Sequence, residues 1–291
     1  NVHIVSFFLN IVLNPIFIYG FYFIPAMGIS GIALATLCAQ FYGLIYIIYK
    51  VNKTDLKKYI YPECFYPKIL LLKDIIRQAI PATGSMVFIG LGIFVLLYYV
   101  SIYGDYSAGG YGAAIRFEQL FLLPVLGLNA STLSLVGQNF GALKFDRIRE
   151  TYLKSVFYGT VFMGICGIFI FFASNYIMIF FSSDPQIIYY GSTYLKIAAF
   201  AGPCYPIFFI SSALLQGLKK PIYQMIINLM RMVVLPIVAL TIAVIYLKVS
   251  FLTMFLVILS INYVFASLVF WFSVYQIKIE SKNYNPNLAA V

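Results

Sequence analysis

Eight long apolar runs decide what this chain can fold into, at roughly 4–24, 29–49, 81–103, 109–138, 152–181, 186–216, 222–247 and 250–277. About 20 apolar residues in a helix cross the ~30 Å hydrocarbon core of a bilayer. In lipid the backbone must satisfy its own hydrogen bonds, so such runs are helices. Composition agrees: of 291 residues, 63% are hydrophobic and 10% charged, against about 45–50% and about 25% in soluble domains. A larger core does not explain this, because a compact chain of this size still needs a polar surface. The expected fold is an all-α polytopic membrane protein with eight transmembrane helices. Runs longer than a span imply tilt or helical extension beyond the membrane.

The charges between the runs are sided. Fifteen of the nineteen Lys and Arg fall in alternate connections or the C-terminal tail; Lys248 alone lies on the other side, and Arg116, Lys196 and Arg231 fall inside runs. One missed crossing would scramble that division. The basic side faces the cytoplasm, and with an even count so do both ends. The net charge of +10 is therefore this bias, and no nucleic-acid partner is expected. The four cysteines are scattered and the one histidine is His3, which leaves no metal site, disulfide framework or His-based chemistry. No basic leader precedes the first run, so it is not a signal peptide; beginning at Asn1, the chain reads as a C-terminal fragment.

Residues 50–80 form the longest polar connection. Within it Lys73, Asp74, Arg77 and Gln78 share one helical face, and Leu71, Leu72, Ile75, Ile76 and Ala79 the other. That pattern predicts an interfacial amphipathic helix leading into the third span, which Pro81 opens; the alternative is a plain extension of that span. The segment divides two early spans (1–49) from six later ones (81–277), followed by a tail, 278–291. "SSDPQ" offers Asp184 as N-cap with Pro185 at the first helical position. "NAS" at 129–131 matches a glycosylation sequon but lies deep in an apolar run.

The polar residues inside the runs are the candidate site. A charge at mid-helix costs at least about 2.5–3.5 kcal/mol on insertion scales, so it is paired, faces water or has a task. Glu118 is the one carboxylate of nine within a run. Glu118, Lys196 and Arg231 all fall about 13–15 Å deep, near the midplane. Glu118 shares a stripe with Leu122, Val125, Asn129 and Thr132, while Arg116 lies about 200° away. Gln119 follows Glu118 directly. Glu118 serves either as counter-ion to Arg231 or Lys196, or as a site for a coupling ion. Three embedded cations against one carboxylate suggest missing anionic partners or an anionic substrate. Kinks are expected at Pro124, at Pro203 and Pro206, and at Pro236, because proline frees a carbonyl one turn back. Interrupted, charged helices at bilayer depth are typical of transporters.

The stretch "YGAAIRFEQLFLLPVLGLNASTLSLVGQNFGALKFDRIRE" (111–150) resembles the eighth span and following loop of bacterial MATE (multidrug and toxic compound extrusion) transporters, with an RxEQ…LPxxGL…LVGQNxGA pattern. "LNPIFIYG…MGISGIALATLCAQ", "SSDPQIIYYGSTYLKI…P…LLQGLKKP" and "NLMRMVVLP" resemble spans five and six, the loop and tenth span, and the eleventh. The resemblance implies spans five to twelve of a twelve-helix, two-lobe, monomeric transporter in the bacterial cytoplasmic membrane. It implies export of small organic, cationic compounds against inward H⁺ or Na⁺, with no bound cofactor, by rocking of the lobes. The glutamate that some members carry in the seventh span is absent from "PATGSMVFIGLGIF"; the first span, where others carry an aspartate, would precede Asn1. A lipid-linked oligosaccharide flippase of the same superfamily is the alternative. A membrane-embedded enzyme would need a nucleophile–base pair or metal ligands at the midplane, and no such constellation is present in the sequence.

Overall fold

A computed structural model describes residues 2–23, 25–54 and 68–284. Lys57, Lys58, Cys64 and the tail beyond Tyr284 lie outside the described residues. The chain forms two compact units, Asn1–Leu72 and Lys73–Val291.

The first unit is a hairpin of α1 (Val2–Tyr19) and α2 (Ile29–Asn52). A buried stripe of small residues, Gly31, Ala35, Ala39 and Gly43, runs down α2 at four-residue spacing. It lets the backbones approach, as small residues do between membrane helices: a Cβ on Gly31 would sit 2.5 Å from the Phe17 carbonyl oxygen. Asn10 bridges the pair, donating to Thr36 Oγ1 at 3.3 Å and accepting from Asn14 at 2.8 Å.

The second unit holds α3 (Ile69–Ser101) from Lys73 onward, α4 (Asp105–Gly141), α5 (Phe145–Phe181), α6 (Pro185–Ala201) and α7 (Cys204–Gly217), then α8 (Pro221–Tyr246) and α9 (Phe251–Tyr284). Connections of two to four residues join consecutive helices. Asp184 caps α6 as expected, its carboxylate accepting from the N–H of Gln186 at 2.8 Å and of Ile187 at 3.4 Å. Two main apolar clusters fill the interior. One, at the end of the bundle carrying the α3–α4 turn, holds Tyr99, Tyr111, Leu195, Met254 and Phe255. The other, at the basic end, holds Val136, Ile148, Tyr152, Leu214 and Ile277. Large apolar side chains also cover the outside, including Phe172 (75% exposed), Trp271 (69%) and Leu268 (59%). That surface belongs in hydrocarbon: the chain is a multi-pass membrane protein.

Among the described residues six helices are long and apolar enough to cross a membrane, and α6 with α7, bent by 54°, would make a seventh if counted as one broken span. The eighth expected span corresponds to α1, which is apolar but shorter; its run of 4–24 ends as helix at Tyr19 because Gly20 takes a left-handed backbone (φ 79°). Two further expectations are corrected. The amphipathic segment before the third span is the opening of α3 and not a separate helix, and α3 passes straight through Pro81. α9 continues seven residues beyond 277.

Candidate functional site

α4 buries one face: Tyr111, Ala114, Glu118, Val125, Thr132 and Val136 recur at three-, four- and seven-residue spacing, the helical period. Glu118 sits in the middle of that face, 5% exposed. The approach of α6 is close because Gly110 has no side chain; a Cβ there would lie 2.7 Å from the Ile187 carbonyl oxygen.

Both carboxylate oxygens of Glu118 accept hydrogen bonds from tyrosines. Tyr194 of α6 donates to Oε2, and Tyr205 of α7 donates to Oε1 at 2.7 Å. The two tyrosines stand on either side of the α6–α7 break. That break has a local cause. Pro203 and Pro206 lack an N–H, so the carbonyls of Ala199 and Gly202 lose their helical donors. Tyr205 N–H turns back to Gly202 O at 3.1 Å, and the Tyr263 hydroxyl of α9 takes the neighbouring Phe200 carbonyl at 2.8 Å. The bend brings two hydroxyls eleven residues apart onto one carboxyl. Tyr194 is wedged edge-on between Tyr111 and Phe255, each ring centroid 4.9 Å away, which fixes its hydroxyl in place.

On their other side Tyr194 and Tyr205 line a cavity of about 110 Å³, with Arg231, Asn262, Phe255 and Leu96 among its other walls. Arg231 is buried (8% exposed). It donates from Nη1 to Asn262 Oδ1 at 3.1 Å, and its guanidinium lies 3.9 Å above the Phe208 ring. Its Nε has no protein partner. Arg231 rides on a π-helical stretch, Leu229–Val234, immediately before Pro236. The wide turn carries one extra residue, and such bulges recur at functional sites.

Glu118 is therefore not the counter-ion expected for Arg231 or Lys196. Among the described residues the ion pairs are Lys154–Glu150 and Lys220–Glu280. The physical reason is where the cations point: Arg231 donates to Asn262 and stacks on Phe208, and Lys196 is exposed. Of the three embedded cations only Arg231 is buried; Arg116, Gln119 and Lys196 are exposed on α4 and α6. Asn129 is a strut, donating to the Phe209 carbonyl at 2.5 Å and tying α4 to α7. Pro124 lies inside an uninterrupted α4. Pro203 lies in the observed break and Pro206 in the first turn of α7, and Pro236 follows the π-helical stretch. Sequence reasoning missed Tyr194, Tyr205, Phe208 and Asn262. Asn262, polar within "VILSINYVFASLV", and Tyr205, between two prolines, carried a signal; the other two did not.

The sequence model of the MatE family matches residues 81–242, more than half of the chain. Over 221 residues the chain is 29% identical to the probable multidrug resistance protein YpnP of Bacillus subtilis, covering 76% of this chain and 48% of that protein. Over 190 residues it is 28% identical to the multidrug export protein MepA of Staphylococcus haemolyticus, covering 65% and 41%. The chain thus spans about half the length of the curated relatives it matches or less. Among solved structures, a MOP superfamily transporter from Pyrococcus furiosus, described by the reverse polarity of its binding pocket, aligns with a TM-score of 0.86 at 24% identity over 97% of this chain and 62% of that one. An outward-facing multidrug resistance MATE transporter aligns equally well, with a TM-score of 0.86 at 24% identity over 96% and 62%. At that identity the likeness is one of fold.

Proposed function

The chain belongs to the MatE family, and from that premise we propose that the whole protein is a secondary-active exporter of small organic, cationic compounds. It would sit in the bacterial cytoplasmic membrane with the lysine-rich turns inside. Inward movement of H⁺ or Na⁺ would drive it, by alternating access between two lobes. The observation that carries the reading is Glu118: a buried carboxyl at bilayer depth, held by two hydroxyls, with no ion-pair partner among the described residues. An uncompensated carboxylate is expensive in a low-dielectric interior. Taking up a proton or a sodium ion removes that charge, and Tyr194 and Tyr205 link the event to the cavity they also line. Loading or unloading Glu118 would then shift the α6–α7 break, and the break would shift the cavity wall.

The test is gradient-driven efflux of a fluorescent cation from proteoliposomes holding the full-length protein. Glu118→Gln keeps size and hydrogen-bonding capacity but cannot gain or lose charge. Efflux should fall at least about tenfold, the scale of a lost coupling free energy of about 1.4 kcal/mol, with the protein still inserted. Undiminished gradient-driven efflux in that variant would remove Glu118 from the mechanism.

One observation favours a second reading: Arg231 is a buried cation in the cavity wall, which suits an anionic substrate such as a lipid-linked oligosaccharide. Rescue of an envelope polysaccharide defect, with no dye efflux, would select that flippase over the exporter.

A further inference from the structure

At the basic end of the bundle, where the α7–α8 turn faces the opening of α3, lies a second cavity of about 610 Å³. Its charged lining is three cations, Arg77, Lys219 and Lys220, and one carboxylate, Asp74; Tyr223 adds a hydroxyl. The turn that presents the lysines is fixed. Lys219 N–H bonds Gln216 O at 2.9 Å, and Lys220 N–H bonds Leu215 O at 2.7 Å. The Lys220 ammonium is anchored from behind by Gln276 Oε1 at 2.8 Å and by the buried Glu280 at 2.5 Å. Lys219 holds a left-handed backbone (φ 59°), a conformation that costs a non-glycine residue about 1–2 kcal/mol. With Lys220 matched by Glu280, the rest of the charged lining is Arg77 and Lys219 against Asp74, a net positive wall complementary to a phosphate.

Beside this cavity α3 exposes an apolar ridge, Ile75 (62%), Ile76 (45%) and Ile80 (65%), and α8 adds Ile222 (44%). A soluble anion has no use for such a ridge. A donor-rich pocket next to exposed aliphatic surface, where a helix bundle leaves the membrane, matches an acidic phospholipid in both its parts. We propose that this cavity holds the phosphate headgroup of an anionic phospholipid, with an acyl chain along the Ile75–Ile76–Ile80 face. The proposal needs only that the chain is a membrane protein; it stands or falls apart from the exporter reading.

Native mass spectrometry of the delipidated full-length protein, titrated with phosphatidylglycerol and with phosphatidylcholine, tests it. Phosphatidylglycerol should bind about tenfold more tightly, the scale set by one or two basic side chains. The pair Arg77→Gln with Lys219→Gln should bring the ratio near one. The charge-preserving pair Arg77→Lys with Lys219→Arg should keep the preference, as should Lys144→Gln with Arg147→Gln on another turn of the same face. Equal affinities in the unmodified protein, a preference that survives the Arg77 and Lys219 neutralisation, or its loss in the charge-preserving pair would overturn the site. Displacement of the lipid by excess inorganic phosphate would assign the pocket to a soluble anion instead.

Discussion

Tyr205 matters at the scale of single residues because its hydroxyl has one destination. Replacing it by Phe leaves the ring in place and strips one of two donors from Glu118. The expected cost is about 1–2 kcal/mol, between the range for bonds to ionised groups and the smaller values measured inside membranes. Thermal unfolding in detergent should show it, with Tyr176→Phe, on an exposed ring (79%), as the control that changes nothing. Charge arithmetic found Glu118 and Arg231 in the sequence, since an ionisable residue at bilayer depth is conspicuous. It did not find their partners. With 25 tyrosines in the chain, no pattern places Tyr194 and Tyr205 against Glu118; they meet it only because of the angle at a helix break.

Helix by helix, the sequence was most legible where backbone chemistry is local. Asp184 followed by Pro185 announces an N-terminus, and two prolines three apart beside Gly202 announce a break. Single prolines were misleading. Pro81 and Pro124 each cost one hydrogen bond, which a long membrane helix tolerates when its neighbours re-satisfy the freed carbonyl. The π-helical stretches of α8, Leu229–Val234 and Thr241–Tyr246, have no sequence signature at all. Each is a helix that has absorbed an extra residue while its flanks stay in register. Deleting Val233 should therefore relax the first stretch to α-helix and leave the protein foldable. Deleting Met163, in the regular α5, should turn every later residue of that helix by about 100° and misplace its buried face. Size-exclusion chromatography of the two deletions checks this: a monodisperse peak for the first and aggregate for the second.

For the whole molecule, the sided lysines predict an orientation that single-cysteine labelling can read. In a background without native cysteines, Ser182→Cys in the α5–α6 turn should react with a membrane-impermeant maleimide on intact cells. Lys144→Cys in the α4–α5 turn should react only after permeabilisation; the reverse pattern would invert the assigned topology. The pairing of helices has a different consequence, one of timing. Adjacent helices from α4 to α7 meet as they are made. The polar side chains of α3 find their partners much later: Ser85 accepts from Asn228, 143 residues on, and Tyr99 bonds Ile237 O and Thr241, 138 and 142 residues on. At synthesis rates of about 5–20 residues per second, that interval lasts on the order of 10 s. Throughout it α3 stands in lipid with a hydroxyl and a phenol unmatched, so the first helix of the unit to be made is among the last to complete its polar contacts.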